Sequence, residues 1–229
     1  MTAAADIAAP TAEMTVAATA SVAPPVELIA GLDVTAASEL AAEHVLARAI
    51  GCLRRAGVDR ITAATHRAEV YETAHVSMSI SMSTDLGQAR MVELLAEVLS
   101  EVDGDAAAVR IGEVGVGAPE LQASAERAAA AHRDRSSGRV VHFPGSETLT
   151  GTVLVADVLA TLIDRVVALG GGHAAPDSPL VTRSFLRPRW DAGELVLHVQ
   201  QAVGDTWVPF ETPNPTPCCA VHTAVPSTA

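Results

Sequence analysis

Residues Ala74–Val102 read AHVSMSISMSTDLGQARMVELLAEVLSEV, and this stretch decides the fold. From Val76 to Ser83 the residues alternate: Val76, Met78, Ile80 and Met82 on one side, Ser77, Ser79, Ser81 and Ser83 on the other. Period two predicts a strand with one buried face and one solvated face. The period then changes. Met91, Leu94, Leu95, Val98, Leu99 and Val102 recur at three and four residues, the stripe of an amphipathic helix. Thr84 or Asp85 is placed to cap it, with Gln88 three positions after Asp85.

Upstream, Thr35–Ala56 reads as a helix. Ala42, Val45, Leu46, Ala49, Ile50 and Leu53 fall on one face, and Gly57 followed by Val58 is the pattern of a glycine C-cap. Asp59–Thr65 is predicted as a strand that returns through a turn near His66–Glu69 into the long strand.

Downstream, Ala107–Val114 is predicted as a strand. Pro119 opens an alanine-rich helix to about Asp134 whose only large apolar residue is Leu121, so it is expected to be peripheral. Arg139–Phe143 is expected as a short strand before the Pro144-Gly145 turn. Val155, Val158, Leu159, Leu162, Ile163, Val166 and Leu169 predict a second strong helix over Thr152–Leu169, ended by Gly170, with Leu162 at the centre of its buried face. Its apolar positions match those of the first helix at a shift of 113 residues, which raises an internal duplication as one explanation. Leu180–Trp190, Glu194–Gln201 and Thr206–Phe210 are predicted as an antiparallel meander.

The expected fold class is α+β, a mainly antiparallel sheet packed against two or three amphipathic helices. The Ala/Thr/Pro-rich residues 1–24 and the Pro/Thr/Cys-rich residues 211–229 are too poor in large apolar groups to offset ordering entropy and are expected to be disordered. Between them, 25–210 forms the globular region, in one piece or as halves 25–117 and 118–210.

Composition narrows the function. The chain of 229 residues carries a net charge of −12, which disfavours phosphate backbones and anionic lipid. All 15 basic residues are arginine, which excludes lysine Schiff-base and P-loop chemistry. Aromatics are only 3%, so the core is aliphatic. Three cysteines make no disulfide framework, and Cys52 lies near a helix core face. No apolar run reaches the length of a membrane helix, and the N-terminus lacks a basic signal region, so a cytoplasmic protein is expected.

Five groups of residues carry candidate chemistry. Arg183, Arg187 and Arg189, with Phe185 and Trp190, place guanidinium groups beside aromatics on one predicted strand, a surface for an acidic partner. His142, Ser146 and Glu147 gather imidazole, hydroxyl and carboxylate around a turn, as acid–base catalysis requires. His75 and His66 flank the predicted hairpin turn with Glu69 and Glu72 between them, and could serve catalysis or a metal. Cys218, Cys219 and His222 are possible metal ligands. Gly112, Gly115 and Gly117 stand between a strand and a helix, but their spacing is not that of a dinucleotide loop, and Glu113 and Glu120 would repel a phosphate.

The leading expectation is a non-catalytic binding or assembly protein that contacts a protein or another acidic ligand through the arginine-bearing strand. The alternatives are a small hydrolase or transferase using His/carboxylate chemistry, and a metal-binding protein through the C-terminal cysteines. No cofactor is indicated.

Overall fold

The computed structural model describes residues 26–70, 73–102 and 106–213. Their first half follows the order β1 (Val26–Ala36), α1 (Glu39–Arg55), β2 (Asp59–Val70), β3 (Thr73–Thr84), α2 (Gln88–Ser100), β4 (Ala108–Ile111), β5 (Val114–Gly117) and α3 (Pro119–Arg133). Strands β4, β1, β3 and β2 lie side by side in that order, the arrangement of a split βαβ (ferredoxin-like) unit, with β5 added at the outer edge. Register sets the two faces of this sheet. Ala30 pairs with Ile80 and Leu32 with Met78, while Gly31 pairs with Ser79. The aliphatic face packs on α1 and α2, whose buried residues include the predicted stripe from Ala42 to Leu53 and Met91, Leu95, Val98 and Leu99. Helix α1 ends as expected: Val58 N–H donates to Leu53 O and Gly57 N–H to Arg54 O, the two bonds of a Schellman cap.

The serine face is not solvated. Ser77, Ser79 and Ser81 are 2%, 0% and 8% exposed, because α3 lies across them. The helix expected to be peripheral is a core element. It buries Leu121, Ser124, Ala125, Ala128, Ala129 and His132. Alanines on the helix, and serine and glycine on the strands, let the two backbones approach closely. A Cβ added at Gly31 would stand 1.8 Å from the Ala125 carbonyl oxygen.

The second half continues the same sheet from β2 through β6 (Arg139–His142). It contains β7 (Thr152–Leu154), α4 (Val155–Leu159), β8 (Arg165–Leu169), β9 (Pro179–Val181), β10 (Arg189–Asp191), β11 (Glu194–Gln201) and β12 (Trp207–Pro209). Its own cluster centres on Phe143, Val158, Ile163, Leu195, Leu197 and Trp207. The described residues thus form an α+β structure with a large, mostly antiparallel sheet and four helices.

Four further expectations fail for physical reasons. The helix predicted over Thr152–Leu169 is a strand, one short helix and a second strand. Its β-branched residues have low helix propensity. Thr161 turns its hydroxyl back to the Val158 carbonyl and accepts from Ile163 N–H, closing α4. Residues Arg165–Leu169 then pair in parallel with β11. Leu162 is only half-buried, and the helical match behind a duplication disappears. The strand predicted over Leu180–Trp190 is interrupted by Arg183 and Ser184, both at positive φ (55° and 52°). Ala107–Val114 crosses the turn between β4 and β5, which places Gly115 and Gly117 in a strand rather than a loop. Strands β2 and β3 run past the expected turn near His66, so His66 and His75 stand within strands. The expected N-terminal arm, residues 1–24, and residues 214–229 of the expected tail 211–229, with Cys218, Cys219 and His222, lie outside the described residues.

Gly31→Ala is expected to prevent α3 from docking, seen as loss of cooperative thermal unfolding. Gly87→Ala, at an open position with φ −72° that caps α2, is the control and should lower the melting temperature only slightly while unfolding stays cooperative.

Candidate functional site

The structure separates the arginine group expected on one strand. Arg183 is exposed in the loop between β9 and β10. Arg187 and Arg189 are held by acidic residues of the same chain. Arg187 makes a bidentate pair with Glu43 of α1 (2.5 and 3.2 Å). Arg139 of β6, 4% exposed, reaches Glu43 at 2.6 Å and, through Nε, Glu211 at 2.5 Å. Arg189 reaches the other oxygen of Glu211 at 3.3 Å. Phe185 lies under Arg187, whose guanidinium carbon is 3.9 Å from the ring centroid. Burial alone would raise the Glu43 pKa, but hydrogen bonds from Arg187 and Arg139 outweigh it and hold the group below the usual carboxylate range. The cluster joins α1, β6, the β9–β10 loop and the segment after β12. Glu211, expected in a disordered tail, is one of its anchors.

His142 and Ser146 are adjacent, with Nδ1 and Oγ 3.4 Å apart. The Arg54 guanidinium stands 3.3 Å from His142 Nε2 and can only donate, so Nε2 accepts and the proton sits on Nδ1. In that tautomer the lone pair of His142 faces Arg54 rather than Ser146. Burial, then Arg54, lowers the His142 pKa, against a smaller opposing effect of Glu147. His75 is bound to the fully buried Asp33 at 2.7 Å. Among the described residues no group of three or more His, Cys, Asp or Glu side chains could hold a metal ion.

A different constellation was not foreseen from the sequence. A cavity of about 740 Å³ opens at the C-terminal end of α3, against the serine edge of β3. Its walls include Trp190, Leu162 and Met82, the hydroxyl residues Thr62, Ser81 and Ser83, and His132. Arg60, Arg133 and Arg135 stand around it, with Glu27 the one acidic residue of the lining. Among the described residues no ion pair engages these three arginines, unlike Arg139, Arg187 and Arg189. Two of them hold strained backbone: φ is 51° at Arg60 and 48° at Arg135. Helix α3 ends in the same motif as α1, with Ser136 N–H donating to Ala131 O and Arg135 N–H to His132 O. At the left-handed position, where α1 has Gly57, α3 has Arg135. A non-glycine residue there costs about 1–2 kcal/mol.

Beneath the cavity runs a buried chain. Ser79 Oγ lies 2.7 Å from His66 Nε2 and 2.7 Å from His132 Nδ1. The His132 ring packs on Trp190, centroids 4.4 Å apart. Burial lowers the His66 pKa to about 4. Burial, with His66 and Arg135 nearby, lowers that of His132 to about 3. Both imidazoles are neutral at pH 7.

No protein-family model, curated protein or solved structure matches the chain. No described helix is long and apolar enough to cross a membrane.

The two buried histidines make stability depend on pH. The unfolded chain takes up their protons near pH 6.5, whereas the fold resists protonation until about pH 4 and about pH 3. Stability from this source is therefore complete above pH 6.5 and falls as pH drops below it, by about 1.4 kcal/mol per pH unit for each histidine. Urea unfolding at pH 7 and pH 5 should show this loss, and His66→Gln should reduce the slope between them.

Proposed function

We propose that this protein binds a small organic phosphate in the cavity at the C-terminal end of α3. The observation that carries the reading is Arg135. A position that favours glycine holds an arginine instead, and its side chain lines a cavity with two other arginines that make no ion pair among the described residues. Strained backbone tends to gather at ligand sites, and two of the three cavity arginines, Arg60 and Arg135, carry it.

Charge supports the ligand class. Three guanidinium groups against the single carboxylate of Glu27 match a phosphate monoester, which carries about −1.5 to −2 at pH 7. The C-terminal end of α3 opposes an anion with only about half a charge. Guanidinium forks suit phosphate oxygens, and the hydroxyls of Thr62, Ser81 and Ser83 add polar partners. The cavity is larger than a phosphate group needs and falls within the usual range for small-molecule sites. Trp190 and Leu162 give the organic part an apolar wall.

The reading keeps the preference for an acidic ligand expected from the sequence and moves it to other arginines. Glu43 and Glu211 already engage Arg187 and Arg189.

Arg135→Gly is the decisive variant. It should leave the melting temperature unchanged or raise it, because glycine suits the left-handed position. Calorimetric titration should show inorganic phosphate binding weakened by about tenfold, the worth of one charge-assisted hydrogen bond. Phosphate binding unchanged in Arg135→Gly, or absent from the wild type, contradicts the reading.

A further inference from the structure

We propose that His132 presents a fixed, uncharged N–H donor to the bound phosphate, its direction set by the one-way chain His66–Ser79–His132. The inference rests on the phosphate reading of the cavity and adds to it the residue that orients the oxyanion.

The direction follows from what each atom can satisfy. Ser79 Oγ has one proton and two imidazole neighbours at 2.7 Å, so with neutral rings it accepts from one and donates to the other. His66 Nδ1 is buried and has no hydrogen-bond partner among the described residues. If the chain ran from His132 to His66, that atom would be an N–H without an acceptor, a rare and costly state in a folded interior. If it runs from His66 to His132, the same atom is only a lone pair. His66 Nε2–H therefore donates to Ser79, and Ser79 donates to His132 Nδ1. The proton of His132 is then on Nε2.

That nitrogen is on the ring edge away from Ser79, no protein hydrogen bond reaches it among the described residues, and His132 lines the cavity. The ring has little freedom to turn, since Ser79 holds Nδ1 and Trp190 packs on its face. The N–H is thus held in place before a ligand arrives, which lowers the ordering cost of binding. Arg60, Arg133 and Arg135 on flexible stems supply charge, and His132 supplies direction. Ser79, which does not line the cavity, acts as a positioning residue.

Nitrogen-15 NMR of the wild-type histidines tests this without any variant. At pH 7 both His66 and His132 should show a protonated Nε2 and a bare Nδ1. Adding inorganic phosphate should shift the His132 Nε2–H resonance and leave its Nδ1 unprotonated. Ser79→Ala should give His132 a mixture of tautomers and weaken phosphate binding by about fivefold, the worth of one neutral hydrogen bond. A proton on His132 Nδ1 in the wild type overturns the inference and leaves the phosphate reading standing. Calorimetric binding of phosphate with no shift at His132 does the same. Absence of phosphate binding overturns the reading of the cavity, and the role of His132 with it.

Discussion

The close approach of α3 to the sheet at Gly31 is the constraint on which the rest of the structure depends. The Ala125 carbonyl occupies the space a side chain at position 31 would need. Such contact is possible only where both surfaces are small, and they are: alanine and serine on the helix, glycine and serine on β1 and β3. Burying a serine row removes its hydroxyls from water, which is unfavourable unless each finds a partner. Ser79 finds two, and the chain from His66 through Ser79 to His132 results. The helix then ends where this chain does, so His132, Arg133 and Arg135 reach the cavity from a rigid support. The fold and the candidate site share one cause.

A second constraint holds the two halves in register. Glu43 on α1 and Glu211 after β12 each bridge two arginines, and Arg139 is common to both. Buried ion pairs such as Arg139–Glu43 contribute little net stability against well-packed apolar residues, but removing Glu43 leaves buried guanidinium charge and costs about 3–5 kcal/mol. The cluster therefore fixes where α1, β6 and the β9–β10 loop sit. Each of its arginines is engaged by a carboxylate, which sets it apart from the arginines of the cavity.

How much of this was legible in the sequence depended on whether a local pattern was decisive. The stripe of α1, its Gly57 cap and the alternation of β3 are short-range signals and carry through to the structure. The same alternation could not say that the serine face is covered, because the covering helix lies more than 30 residues away and identifies itself only by being small. The apolar spacing of Thr152–Leu169 fits a helix, but its β-branched residues and the hydroxyl of Thr161 favour strand and turn. The arginines at 183, 187 and 189 suggested a strand face by their spacing, and no short-range rule indicates that Glu43 and Glu211 meet two of them. Arg60 and Arg135 left no usable trace, since their distinguishing feature is a backbone angle.

Native-state hydrogen exchange along α3 tests the central claim most directly. If α3 is a core element docked on the serine face, the amides of Ala125–Ala129 exchange only through global unfolding, with the same free energy and denaturant dependence as those of β3. Exchange of those amides through local opening, at a free energy well below that of β3, would contradict the account and with it the rigid support on which the cavity depends.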